Sequence, residues 1–99
     1  MYVILWEFVV LPEKVDAFIA AYKDDGAWAK LFALAEGYVG TELLCSTDGA
    51  RYITIDRWQH AEEFARFQEQ FGYEYKALDT ELEGLTVRER KLGMFVSAV

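Results

Sequence analysis

The segment Tyr2–Val10, YVILWEFVV, is apolar at every position except Glu7. Successive side chains of a strand point to opposite faces, so a strand covered on one face alternates apolar with polar residues. This one does not alternate. Its β-branched and aromatic residues suit a strand, and both of its faces call for cover. The chain has 99 residues, one domain's worth, with little core to spare. A layer of helices covers one sheet face, and the other face then needs a second cover.

The rest of the chain supplies that sheet and those helices. Pro12 stops the strand and suits the first turn of a helix. Val15, Phe18, Ile19 and Tyr22 follow at amphipathic helical spacing. Asp24, Asp25 and Gly26 break the helix, Trp28, Leu31, Phe32 and Ala35 form a second stripe, and Gly37 is placed to end it. Tyr38–Ser46 and Arg51–Trp58 form two strands around Asp48-Gly49, a hairpin signal. A two-residue loop there pairs Leu44 with Ile53 and Glu42 with Ile55, and a slip of one residue would exchange the faces. Asp56 and Arg57, adjacent on the strand, point to opposite faces and pair across strands with Thr41 or Glu42 in a stabilising role. Phe64, Phe67 and Phe71 line one side of a helix over His60–Gln70, and Tyr75, Leu78 and Leu82 continue a stripe to Gly84. Thr86-Val87-Arg88-Glu89 has capping-box spacing and predicts a short helical turn, with Leu92–Ala98 as the last strand.

The order is β-α-β-β-α-β over a single domain, residues 1–99. The fold class expected is α+β, ferredoxin-like: a four-stranded antiparallel sheet with helices on one face. A second copy of the chain is the economical cover for the other face, giving a homodimer.

Composition narrows the function. The net charge is −7, which argues against nucleic acid and against anionic membrane surfaces. No apolar run approaches the roughly 20 residues needed to span a bilayer. Met1–Leu11 has neither a basic start nor a small-residue cleavage site, so it is not expected to be a signal peptide. Cys45 is the only cysteine, so no intrachain disulfide forms, and a cytoplasmic location is expected. With one histidine and one cysteine the chain has no familiar zinc set. It also lacks a dinucleotide fingerprint, a P-loop and a nucleophile elbow. No metal and no cofactor are expected.

Three stretches carry a resemblance: Asp25-Gly26-Ala27-Trp28-Ala29-Lys30-Leu31-Phe32, Gly37-Tyr38-Val39-Gly40-Thr41-Glu42-Leu43-Leu44, and Tyr52-Ile53-Thr54-Ile55-Asp56-Arg57-Trp58 followed by an Ala-Glu-Glu-Phe helix opening. With the segment order they resemble the antibiotic-biosynthesis-monooxygenase-like family of dimeric α/β-barrel proteins over nearly the whole chain. The resemblance implies a pocket between sheet and helices, one per subunit, and a flat, electron-rich substrate that reacts directly with dioxygen. It also exposes departures. The haem-degrading branch relies on an Asn, a Trp and a His. This chain contains no Asn, Phe67 stands where that branch has its Trp, and Ala77 stands where it has its His. These departures argue against haem degradation. His60 stands where many relatives carry Ser.

The candidate catalytic residues are His60, Tyr73 and Glu7. His60 is the one side chain that ordinarily titrates near neutrality, set against a plain role at a helix start. Tyr73 beside Gly72 offers a phenol to orient or deprotonate a substrate hydroxyl; Tyr75 belongs to the apolar stripe and reads as core. Glu7 is a carboxylate in an apolar strand, to be paired or protonated, with a salt bridge to Arg51, Arg57 or another basic group, within the chain or across a dimer, as the plain reading. Trp58, Trp28, Trp6 and Phe67 are the candidate substrate-binding residues, able to wall an aromatic pocket or simply to fill the core. The leading expectation is a cofactor-independent monooxygenase-like protein binding a small aromatic or polyketide-like ligand. The alternatives are a non-oxidative cyclase or isomerase with His60 or Tyr73 as base, and a non-catalytic binding module.

Overall fold

A computed structural model describes residues 1–99. Its strands are β1 (Tyr2–Val10), β2 (Tyr38–Cys45), β3 (Tyr52–Trp58) and β4 (Thr86–Val96). Its helices are α1 (Val15–Tyr22), α2 (Ala27–Phe32), α3 (Ala61–Gln70) and α4 (Gly72–Leu82). The strands form one sheet in the order β2-β3-β1-β4, and every neighbouring pair is antiparallel. This is the expected ferredoxin-like topology, with β1 and β3 central.

The even-numbered residues of β1 face the helices. Phe8 packs edge-on against Phe18 and Tyr22 of α1, at 5.3 and 4.9 Å between ring centroids. On β3 the same face carries Tyr52, Thr54, Asp56 and Trp58. Trp58 is fully buried, walled by Phe32, Tyr38, Phe64 and Phe67 at 5.3 to 5.7 Å. Aromatic pairs at these distances and tilts add to their area burial, so the core of this small domain is built largely from rings.

The hairpin register is the expected one: Leu44 opposes Ile53 and Glu42 opposes Ile55. One irregularity in β2 re-aims a side chain. The register shifts between Tyr38 and Gly40, a bulge that adds one residue to β2. Tyr38 and Thr41 are three apart and would otherwise face opposite sides. With the bulge both face the helices, and the Tyr38 hydroxyl lies 2.6 Å from Thr41 Oγ1.

The end of the chain departs from expectation. Thr86–Glu89 is strand, not a helical turn, and β4 begins at Thr86. The helical turn lies earlier, a single 3-10 turn over Glu83–Leu85. Residues 86–91 pair with Val10 to Trp6 of β1. That long-range pairing outweighs the local capping-box pattern, whose stabilisation amounts to about 1 kcal/mol. The pairing also sets Glu89 opposite Phe8, on the helix-facing side.

The other sheet face has no cover within the chain. It carries Val3, Leu5, Val9, Ile53 and Ile55, with Leu44 and Phe95 exposed at 44% and 52%. Glu7 lies on this face.

Candidate functional site

Between the helix-facing side of the sheet and the helices lies a cavity of about 180 Å³. Its walls are aromatic: Trp6 and Phe8 from β1, Tyr22 from α1, Trp28 and Phe32 from α2, and Tyr75 from α4. Its polar lining is Thr41, Thr54, Asp56, Asp79 and Glu89. The sheet positions the floor. Thr54 and Asp56 are buried neighbours on one face of central strand β3, and Thr41 opposes Asp56 across the β2–β3 ladder. Asp79 on α4 and Glu89 on β4 are exposed and frame the opening.

Asp56 is the distinctive group. Thr41 Oγ1 donates to its Oδ1 at 2.7 Å, and Tyr38 stands behind Thr41. The Asp56 carboxylate takes no other side-chain hydrogen bond, and Asp56 lines the cavity. Burial pushes the Asp56 carboxyl up to about 6, against the opposing effect of the Thr41 hydrogen bond. Loss of hydration disfavours the charged form, and one hydroxyl donor does not replace it. Glu89 is also raised, by burial and then by the charge of Asp79. Burial pushes the Tyr22 phenol up to about 12. The Tyr75 phenol is raised by burial and by Asp79, Asp56 and Glu89. Both phenols are therefore neutral near pH 7, and the indole N–H of Trp28 is buried without a partner. A carboxyl that titrates near neutrality, on the floor of an aromatic cavity, is suited to taking and returning a proton.

The structure distributes the sequence candidates unevenly. Trp6 and Trp28 line the cavity. Trp58 and Phe67 do not; at 0% and 1% exposure they fill the core behind it. Of the expected bases, none lines the cavity. His60 precedes α3 with its side chain mostly exposed, and its Nδ1 lies 3.2 Å from Glu63 Oε1. Tyr73 is 84% exposed, because the Tyr75-Leu78-Leu82 stripe sets the phase of α4 and turns Tyr73 outward. Tyr75, assigned to the core stripe, is the tyrosine of α4 that reaches the cavity. Glu7 is buried on the opposite sheet face, bound to Arg51 at 3.2 Å and Arg90 at 3.4 Å. Its plain reading as a salt bridge describes its surroundings.

Sequence reasoning misses Asp56 and its neighbours as site residues. The cross-strand pairs expected for Asp56 and Arg57 are present, Thr41 with Asp56 and Glu42 with Arg57, but the Asp56 pair does more than join strands. The signal that could have found it is the run Tyr52-Thr54-Asp56-Trp58, which sets a carboxylate among apolar rings on the covered face of a central strand.

A family model described as antibiotic biosynthesis monooxygenase matches residues 1–74. The chain belongs to this family. The matched residues include the cavity's walls from β1, α1 and α2 and its floor on β2 and β3; Tyr75, Asp79 and Glu89 lie beyond them. No curated protein sequence matches the chain. Among solved structures it is similar to SnoaB, a cofactor-independent oxygenase from Streptomyces nogalater, with 25% identity and a TM-score of 0.71 over 99% of this chain and 93% of that one. It shares the fold of a monooxygenase from the gene ActVA-Orf6 of Streptomyces coelicolor, solved with nanaomycin D: 15% identity and a TM-score of 0.72 over 99% and 88% of the two chains. It also shares the fold of a dimeric ferredoxin-like protein from an uncultured marine organism, at 13% identity and a TM-score of 0.67 over 99% and 90%. The expected family and fold are thus both found, and no helix is long and apolar enough to cross a membrane.

Proposed function

We propose that this family member is a cofactor-independent monooxygenase acting on a small hydroxylated aromatic held in the cavity, with Asp56 as the base. The observation that carries this reading is the buried Asp56, bound by Thr41 and by no other side chain, beneath six aromatic walls. The ring of such a ligand would stack among Trp6, Trp28 and Tyr75. Asp56 takes a proton from an activated CH₂ or the adjacent phenol. The resulting electron-rich anion gives one electron to dioxygen, and the radical pair joins to form a C–O bond. The peroxide is protonated and loses water as the remaining C–H proton departs, leaving a ketone. The balance is CH₂ + O₂ → C=O + H₂O; dioxygen supplies all the oxidising equivalents, and no other reductant enters. We place the base at Asp56 rather than at His60, Tyr73 or Glu7, because only Asp56 meets the cavity.

An oxygen electrode with a hydroxylated anthrone tests the reading. The expected result is one dioxygen consumed per ketone formed, with no added cofactor. Absence of uptake by folded protein overturns it. A second reading, a non-catalytic binding module, predicts ligand binding with no uptake. A cyclase or isomerase using Asp56 predicts substrate proton exchange without oxygen uptake.

The same reading includes a homodimer joined through the uncovered sheet face, where Val3, Leu5, Ile53 and Ile55 form a continuous apolar surface. A specific interface there has to bury more than roughly 1,000 Å² in total. Sizing at micromolar concentration is expected to give a dimer, and a monomer contradicts this part of the proposal. The free thiol of Cys45 is exposed, which supports a reducing compartment such as the cytoplasm.

A further inference from the structure

The cavity has a charge pattern that its aromatic walls do not explain. Three carboxylates line it and no lysine, arginine or histidine does. Asp56 is on the floor; Asp79 and Glu89 are at the mouth. One cation lies against a wall ring: Lys91 has its Nζ 5.9 Å from the centroid of the Trp6 ring, outside the lining itself. Asp79 and Glu89 line the same cavity, and the Glu89 carboxyl is raised by burial and then by the charge of Asp79. Three carboxylates outnumber that one lysine, and a positive guest between Asp79 and Glu89 relieves their mutual repulsion.

Three lining side chains lack a hydrogen-bond partner at one polar atom, the buried Trp28 indole N–H among them. Asp56 has a carboxylate oxygen with no side-chain hydrogen bond, and Thr54, 4% exposed, lines the cavity with no side-chain hydrogen bond. Buried polar groups are normally satisfied; Asp56 on the floor suits a guest's donor, and the Trp28 N–H and the Thr54 hydroxyl suit an oxygen on the same guest. The walls add a third attraction. Faces of Trp and Tyr rings favour cations, most strongly where water is excluded.

We propose that the cavity selects flat aromatic ligands that carry a positive charge, as aromatic amines in the ammonium form or protonated nitrogen heterocycles, and rejects carboxylated ones. The cation sits between Asp79 and Glu89, and a hydroxyl or N–H at the inner end donates to Asp56. This rests on the cavity being the ligand site and adds the charge of the ligand. The overall charge of −7 works in the same direction, drawing cations toward the mouth at low salt.

The test is calorimetric titration of the purified protein, at low salt, with three probes sharing one ring system: naphthylmethylammonium, naphthalenemethanol and naphthoate. The ammonium is expected to bind about tenfold more tightly than the alcohol, and naphthoate more weakly than either. In Asp79→Asn/Glu89→Gln the ammonium should fall to the affinity of the alcohol, while the alcohol stays within about twofold of its wild-type value. The alcohol thereby reports that the variant cavity is intact, and the wild-type rank order decides the matter if the double variant does not fold. Equal binding of the three probes, or tighter binding of naphthoate, overturns the charge selection and leaves the cavity as a ligand site. A preference for the ammonium that survives in the folded double variant also overturns it. No binding by any probe overturns both the charge selection and the reading it rests on.

Discussion

Asp56 couples stability to function at the scale of a single side chain. Its carboxyl sits at about 6 in the folded protein against an ordinary 3.8. A carboxyl raised by folding binds more protons in the folded state between those two values. Stability therefore falls as pH rises from about 4 to about 6 and is level above. The difference between those two values corresponds to about 3 kcal/mol. Asp56→Asn keeps an acceptor for Thr41 and removes the buried charge. The variant is expected to be more stable than wild type by about 2–3 kcal/mol at pH 7 and equal to it near pH 3.5. Urea denaturation of both proteins at each pH checks this, and a difference that does not change with pH contradicts it. Such a gain on removing a site residue is the usual trade between stability and activity. His60 and Tyr73 make the opposite case. Both are exposed, so His60→Ala and Tyr73→Phe are expected to shift stability by no more than about 0.5 kcal/mol.

At the scale of elements, short features aim the site. Gly37 has φ +86°, and a Cβ there would run into the Glu63 side chain. Its carbonyl accepts from the backbone N–H of Gln59 at 2.8 Å, tying the start of β2 to the end of β3. Gly37→Ala is expected to cost about 2 kcal/mol or more, from the left-handed backbone and the displaced Glu63. A loss below about 0.5 kcal/mol in denaturant melts would contradict this. A few residues on, the bulge in β2 turns Tyr38 toward Thr41. The strands and helices are legible in the sequence because their apolar periods are clear: the unbroken run of β1, the Phe64-Phe67-Phe71 stripe of α3, and Asp48-Gly49 in the hairpin. The bulge is not, since one extra residue leaves no period to read. The start of β4 is illegible because Thr86–Glu89 carries a helix-start pattern that pairing with β1 overrides. That pattern also hides Glu89, which reaches the cavity only as a strand residue opposite Phe8. Asp56 is legible as half of a cross-strand pair. Its place beneath a cavity depends on how α1, α2 and α4 close over β3, and no local pattern encodes that.

The whole molecule measures 36 × 33 × 20 Å, a slab of one sheet and one helical layer. Its accessible surface is 6303 Å², where a compact monomer of its 11.4 kDa is expected to expose about 5,800 Å². The excess fits a chain that leaves a sheet face to be covered by a second copy. In such a dimer Leu5 lies near the centre of the joint. Leu5→Asp is expected to give monomers in sedimentation or sizing at micromolar concentration, because it sets an unpaired charge against apolar surface. A Leu5→Asp protein that stays dimeric would place the interface elsewhere. The central claim concerns the opposite, helix-covered side, where the cavity and Asp56 are taken to be the site of reaction with dioxygen. The most direct test is the rate of oxygen uptake with a hydroxylated anthrone from about pH 5 to 8, for wild type, Asp56→Asn and His60→Ala. The prediction is a wild-type rate that rises with a midpoint near the Asp56 value of about 6, falls by about 100-fold or more in Asp56→Asn, and is unchanged in His60→Ala. An Asp56→Asn protein that keeps the wild-type rate and pH profile would contradict the account.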